Sequence, residues 1–415
     1  MQKQFFPKNR LLAVISIALV LLSAVLLYIY FNSSKPAIKI GILHSLTGTM
    51  VISEKPLVDA LQFAIEEVNA AGGINGQPIE AVISDCRSDA NYCAQQAEKL
   101  ITEEKVSALF GCWTSTCRKA VKTVVEKHQH LLFYPVQYEG MEQSPNIIYT
   151  GAAPNQQIIP GTRWALDNLG KRVYLLGSDY VFPRMANVII RDMVKAGGGV
   201  VVGERYLPLG AGAMGATVAD ILKQRPDVVL NTLNGGSNFA LFEALDKAGV
   251  SAKKILVVSF SLAEVELASM TTLKTAGHYA VWNYFQSIPT ELNQKFIARF
   301  RQRFGVQAVI DDPMEASYTG LMLWAQAARE AASADPARVQ RSILRQTLLA
   351  PEGMVAVDRH TRHLWKTPRI GKIRQDGQFD IVMDGGQPME PSPFPSYRFR
   401  DDWLHLLQAA EGGKR

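Results

Sequence analysis

Short apolar runs alternate with amphipathic stretches along most of this chain, and that alternation limits the fold more than any other feature. Ile38–Leu43 (IKIGIL) reads as a buried strand, and the stretch from about Leu57 to Ala71 places Leu57, Leu61, Ala64, Ile65 and Val68 at helical spacing before Gly72-Gly73 ends it. Strands follow at 79–84, 106–110 and 131–134, with helices at 90–103 and 118–127 between them. After Pro154 the rhythm restarts: strands at 172–176, 200–206, 228–231 and 255–259 alternate with helices at 185–196, 218–224 and 239–248. Strands separated by helices imply parallel sheets with right-handed crossovers. Two series imply an α/β fold of two doubly wound lobes. A helix over 315–332 and a hairpin around Asp376-Gly377 follow, and 388–395 is Pro-rich and irregular.

The first residues set a compartment. Leu11–Phe31 is an uncharged run of 21 residues, ~31 Å as a helix and long enough for a bilayer core. Lys3, Lys8 and Arg10 precede it, so the following chain is expected outside the cytoplasm, with residues 1–37 forming a retained signal-anchor helix and linker rather than a cleaved signal. Four of the six net positive charges lie before Ala37, which leaves +2 for the rest and no basic nucleic-acid footprint. Cys86, Cys93, Cys112 and Cys117 can persist as disulfides in such a compartment, with three pairings open. Their spacing does not match a zinc site. Nucleotide-loop, zinc-protease and serine-hydrolase motifs are absent, so no cofactor, no metal and no enzyme activity is expected.

Ligands of doubly wound sheets sit beyond the carboxyl ends of the strands. Those ends carry His44-Ser45, Gly111–Ser115, Tyr134-Pro135, Ser178–Tyr180 and Asn234-Gly235, which are rich in hydroxyls, amides and rings. By residue type alone, Ser115 suits a helix cap, Trp113 and Phe182 suit a core, and Tyr134 suits a packed ring. Glu315 suits a solvated helix face, His44 a structural role, and the His128/His130 pair the surface.

The ordered series GILHSLTGTM (41–50), FGCWTS (110–115), LLFYPVQYEG (131–140), YTGAAPNQQ (149–157) and GSDYVFPR (177–184) continues with NTLNG (231–235), SFSLAE (259–264), WNYFQS (282–287), DDPMEASY (311–318) and WKTPRIGKI (365–373). Over Ile38–Tyr397 it resembles the urea-binding proteins of bacterial ABC urea transporters. It resembles more distantly the short-chain amide receptors and the branched-chain amino-acid-binding proteins. The resemblance implies a periplasmic clamshell with a three-crossing hinge: lobe 1 over 38–153 with about 284–360, lobe 2 over 154–283 with about 361–400, and a tail over 401–415. It implies capture of urea or a short-chain amide for ABC permease subunits, in the periplasm and anchored to the inner membrane by residues 11–31. The alternatives are a tethered sensor of the same ligands and a binding protein for another small amide or amino acid. By resemblance Ser115 binds the ligand amide, Trp113 walls the site, and Tyr134, Tyr180 and Phe182 complete it. Asn234 and Gly235 belong to the same expected ligand-binding set. The chain departs from the urea pattern at Gly236, where Asp is usual, and at Phe182, where Tyr is frequent. The related amino-acid binders also imply a disulfide joining Cys86 or Cys93 to Cys112 or Cys117. Calibrated on chemistry, urea needs donors for one oxygen and acceptors for four N–H groups, and amino acids need a carboxylate such as Glu315 or Asp179 for their ammonium group.

Overall fold

A computed structural model describes residues 36–412 and, before them, Ser16, Ile17, Leu19, Leu21 and Ser23, which are helical. The expected membrane helix over 11–31 otherwise lies outside the described residues. Among the described residues no helix is long and apolar enough to cross a membrane.

The first lobe runs β1 (Ile38–His44), α1 (Val51–Ala70), β2 (Ile79–Asp85), α2 (Ala90–Thr102), β3 (Leu109–Gly111), α3 (Ser115–Lys127), β4 (Leu132–Tyr134) and β5 (Ile147–Tyr149). Its sheet is parallel throughout, in the order β2-β1-β3-β4-β5. The second lobe continues with α4 (Ile158–Asn168), β6 (Arg172–Ser178), α5 (Val181–Ala196), β7 (Val200–Leu207), α6 (Gly215–Gln224), β8 (Val228–Thr232), α7 (Gly236–Lys247), β9 (Leu256–Ser259), α8 (Glu264–Ala268) and β10 (Tyr279–Trp282). The chain then returns to pack α9 (Glu291–Phe304), α10 (Asp312–Glu330) and α11 (Pro336–Ser342) on the first lobe, where Phe296, Tyr318 and Trp324 join one core with Ile40, Leu61 and Phe110. The short strands β11 (Thr347–Ala350), β12 (Gly353–Val357) and β13 (Leu364–Trp365) form a separate antiparallel sheet. Finally β14 (Arg369–Ile373) and β15 (Phe379–Asp384) add an antiparallel hairpin to the second sheet, and α12 (Arg400–Gly412) closes the described chain. The second sheet is therefore mixed rather than parallel, because a tight turn at Asp376-Gly377 can return a strand only antiparallel. Residues 401–412, read as a tail, form a helix whose Trp403 and Leu407 join the second-lobe core.

Strands buried on both faces explain the uninterrupted apolar runs. Ile40, Ile42 and Leu43 are fully enclosed, and each such side chain contributes ~1.5–3 kcal/mol on burial.

Three passages connect the lobes, after β5, after β10 and after β13. Side chains tie them together. Asn283 donates from Nδ2 to Gln156 O at 3.1 Å and to Thr367 O at 3.0 Å, and Lys366 Nζ donates to Thr150 O at 3.0 Å. Lys366 also pairs with Glu352 at 3.1 Å, and both are buried. Asp312 accepts the backbone N–H of Asn283 and Tyr284, and Glu264 accepts that of Gln286. Glu315, expected on a solvated face, is fully buried in this cluster and accepts from Thr319 Oγ1 at 2.9 Å. The reason is tertiary: the first turns of α10 abut the hinge rather than water.

Candidate functional site

Between the lobes lies a cavity of about 360 Å3. The first lobe lines it with Ser45, Cys86, Asp89 and Thr114, and the second with Tyr180 and Leu209. These positions follow strand ends, where a doubly wound sheet presents its loops. Three acids, Glu54, Asp89 and Asp179, face the cavity, and no Lys or Arg does among the described lining residues. Each acid has a structural partner. Glu54 accepts from Ser45 N at 2.8 Å and contacts His44 Nδ1 at 3.2 Å, Asp89 caps α2 by accepting from Tyr92 N, and Asp179 accepts from Arg184 Nε.

Beside this cavity a polar cluster is built on α3. Thr114, not Ser115, caps the helix by accepting from Cys117 N at 3.2 Å. Ser115 is thereby freed for another task. Its hydroxyl donates to Glu139 Oε2 at 2.5 Å and accepts from Arg118 Nη1 at 3.0 Å. Arg118, one helical turn on, also donates to Glu139 Oε1 at 3.0 Å and to Glu142 Oε1 at 2.8 Å. Its guanidinium is completely enclosed and lies 4.4 Å from the Tyr138 ring centroid and 4.9 Å from that of Tyr134. Burial would raise the Glu142 carboxyl, but Arg118, then Lys119 and Lys122, hold it down to about 2. Burial would lower the Arg118 pKa, and Glu142 and Glu139 drive it upward instead.

The remaining expected residues fall into two groups. Tyr180 faces the cavity, and among the described residues none hydrogen-bonds its hydroxyl. Burial, then the neighbouring Tyr134 and Glu139, raise its pKa, which keeps it a protonated donor. Tyr134 is buried and donates to Trp113 O at 2.6 Å. Trp113 does not stand free as a wall: its Nε1 donates to Asn234 Oδ1 at 3.1 Å and so bridges the lobes. Gly235, at φ 58° and ψ −143°, begins α7 beside Thr49 and Met50 of the first lobe, where a Cβ would meet Thr49 O at 3.2 Å. Gly236 faces open space within 4 Å, so the missing carboxylate there alters no packing. Phe182 lies in the second-lobe core, with its ring 6.3 Å from that of Tyr180. His44 is buried against Glu54, and His130, expected at the surface, is buried too and bonded to Val106 O at 2.8 Å because β4 starts beside it.

Sequence reasoning missed Glu139, Arg118 and Glu142. Glu139 stood inside the quoted LLFYPVQYEG segment, and Arg118 stood at the i+3 position from Ser115.

The disulfides also differ from the implied pairing. Cys86 bonds Cys93 and Cys112 bonds Cys117, with Cα atoms 4.4 and 5.6 Å apart. The Asp89 and Thr114 caps turn each helix start back, so Cys93 and Cys117 meet the cysteines just before their own helices. Neither bond joins the two loops, as the resemblance had implied.

The model for the periplasmic binding protein domain matches residues 38–400. The chain belongs to this family. It is an extracytoplasmic solute-binding protein of the ABC-transporter type, and the family implies a periplasmic location. Leu/Ile/Val-binding protein homolog 6 of Brucella abortus is 22% identical over 82% of this chain and 89% of its own length. A Rhodopseudomonas palustris solute-binding protein in complex with 3,4-dihydroxybenzoic acid shares the fold at a TM-score of 0.77 and 20% identity, over 87% of this chain and 99% of that one. A limonene hydroxylase of Geobacillus stearothermophilus is 32% identical over 32% of this chain, which spans 26% of that protein.

Proposed function

We infer that the family member described here captures urea or a short-chain amide between its lobes, for delivery to an ABC permease from a position tethered to the inner membrane by residues 11–31. One observation carries the ligand class: the interlobe cavity has acids and hydroxyls but no cation among its described lining residues. A carboxylate ligand such as a benzoate or an amino acid would enter without a counter-charge, since Arg118 is already committed to Glu139, Glu142 and Ser115. A neutral molecule rich in N–H donors meets acceptors instead. The Ser45 and Thr114 hydroxyls of the cavity wall would accept from its nitrogens, with Ser115 and Glu139 directly behind them, and the Tyr180 hydroxyl would donate to its carbonyl oxygen. Trp113 and Asn234, bonded to each other across the lobes, would register closure rather than sandwich the ligand.

Isothermal calorimetry tests this with urea, acetamide, formamide, guanidinium, leucine and 3,4-dihydroxybenzoate. Saturable heat with urea or a short amide, and none with the two carboxylates, is the expected result. Leucine binding without urea binding rejects the reading. Guanidinium binding more tightly than urea would replace the neutral ligand by a planar cation, which the acidic lining would also accept.

A further inference from the structure

Four cysteines from the starts of two helices come together at the cavity wall. The sulfurs of Cys86, Cys93 and Cys117 all lie within 4.8 Å of one another, and Cys112 is bonded to the third. The two disulfides touch: Cys117 Sγ sits 3.2 Å from Cys93 Sγ. Cys86 and Cys117 face the cavity, whereas Cys93 and Cys112 are fully enclosed. The contact places one sulfur where, once reduced, it can attack the other pair.

We propose that the four sulfurs form a thiol–disulfide exchange site that a dithiol reductant switches from two short-loop bonds to one bond between the loops. The dithiol attacks Cys117 Sγ from the cavity. The Cys112–Cys117 bond breaks and Cys112 leaves as a thiolate, which takes up a proton. The reductant's second thiol then closes its own disulfide and releases Cys117 as a thiolate. Two electrons pass from the dithiol to the protein. Freed from Cys112, the Cys117 side chain turns onto Cys93 and attacks its sulfur, and the Cys86–Cys93 bond breaks. A Cys93–Cys117 bond forms and Cys86 departs as a thiolate to be protonated, so this second step is redox-neutral. The product ties α2 to α3 and releases both ends that preceded them. Trp113, Thr114 and Ser115 lie between Cys112 and Cys117, so the switch loosens the segment that reaches Asn234. The proposal is independent of which solute the cleft holds.

Cys112→Ala tests it without any reductant, because Cys117 is then a thiol already in contact with Cys93. The variant is alkylated under acid-quenched, non-reducing conditions and its peptides are mapped by mass spectrometry. Alkylation of Cys86 in at least half of the molecules, with a Cys93–Cys117 cross-linked peptide, is expected. Alkylation of Cys117 alone, with Cys86–Cys93 intact, overturns the proposal. Should the variant not fold, wild-type protein titrated with one equivalent of dithiothreitol gives the same readout. Cross-linked Cys93–Cys117 peptide supports exchange, and only original pairs plus fully reduced chain refutes it.

Discussion

Two buried clusters of charge, one on α3 beside the cleft and one at the hinge, treat the same side chain in opposite ways. On α3, one arginine stands between Glu139 and Glu142, Lys119 and Lys122 approach Glu142 at 3.6 Å, and the Glu142 carboxyl is held down to about 2. At the hinge, Glu264 and Glu315 are buried with more acids than bases around them. Burial, reinforced for Glu315 by Glu352, pushes each up to about 8. Burial is common to both, so the supply of cations decides the protonation state. The cleft cluster is a fixed ion network, whereas at the hinge Glu264 and Glu315 hold protons at neutral pH.

The largest test of that contrast is Arg118→Met. It leaves Glu139 enclosed without its cation and Glu142 with only the two lysines at 3.6 Å, and is expected to cost ~3–5 kcal/mol, read as a large fall in Tm by thermal unfolding. A small change would show that the glutamates are not charged. Next comes pH. The folded-state pKa values of Glu264 and Glu315 stand above their unfolded values, so the folded state holds more protons between about 4.5 and 8. Their contribution is fully present below the unfolded value and is lost as pH rises through about 8. Glu142 runs the other way: its contribution is present above its unfolded pKa and is lost as pH falls through about 2. Tm is therefore expected to fall from pH 5 to pH 8.5, and the double variant Glu264→Gln, Glu315→Gln is expected to flatten that fall. An unchanged slope would place the titrating groups elsewhere. Ser115→Ala is expected to weaken urea binding by ~1–3 kcal/mol in calorimetry and to lower Tm as well, since it strips a buried hydrogen bond from Glu139 and Arg118; a fall in Tm with equal affinity would leave the serine as a scaffold for Glu139. The smallest effect is at Lys119→Ala. This removes a partly exposed pair at 3.0 Å with Glu411 of α12 and one of the two lysines 3.6 Å from Glu142, while Arg118 and Lys122 remain, and should cost ~1 kcal/mol.

The two-lobe rhythm was legible because strands buried on both faces write themselves as apolar runs. Elements with mixed signals were not. The segment 158–168 carries Pro160 and Gly161, which read as breakers, yet it is helical. Gly161 is needed there, since a Cβ would lie 2.7 Å from Val281 as the helix packs on the second sheet. The candidate site was half legible. Ser115 and Tyr180 stood at strand ends, but Arg118 looks like any solvated helix residue until Tyr134 and Tyr138 close over it. Glu315 misled for the same reason, because its neighbours Glu352 and Lys366 are remote in sequence. The disulfides failed on local geometry: helix caps, invisible to spacing alone, decided which sulfurs meet.

Asn283 holds the first and third passages through one amide group, and Lys366 pins the first from the third. The three connecting strands are thus laced into a single axle. Opening is then expected to be a swing about one line, since twist or sideways slip of the halves would break these bonds. Whatever the docked permease senses as the solute arrives is reduced to a single angle.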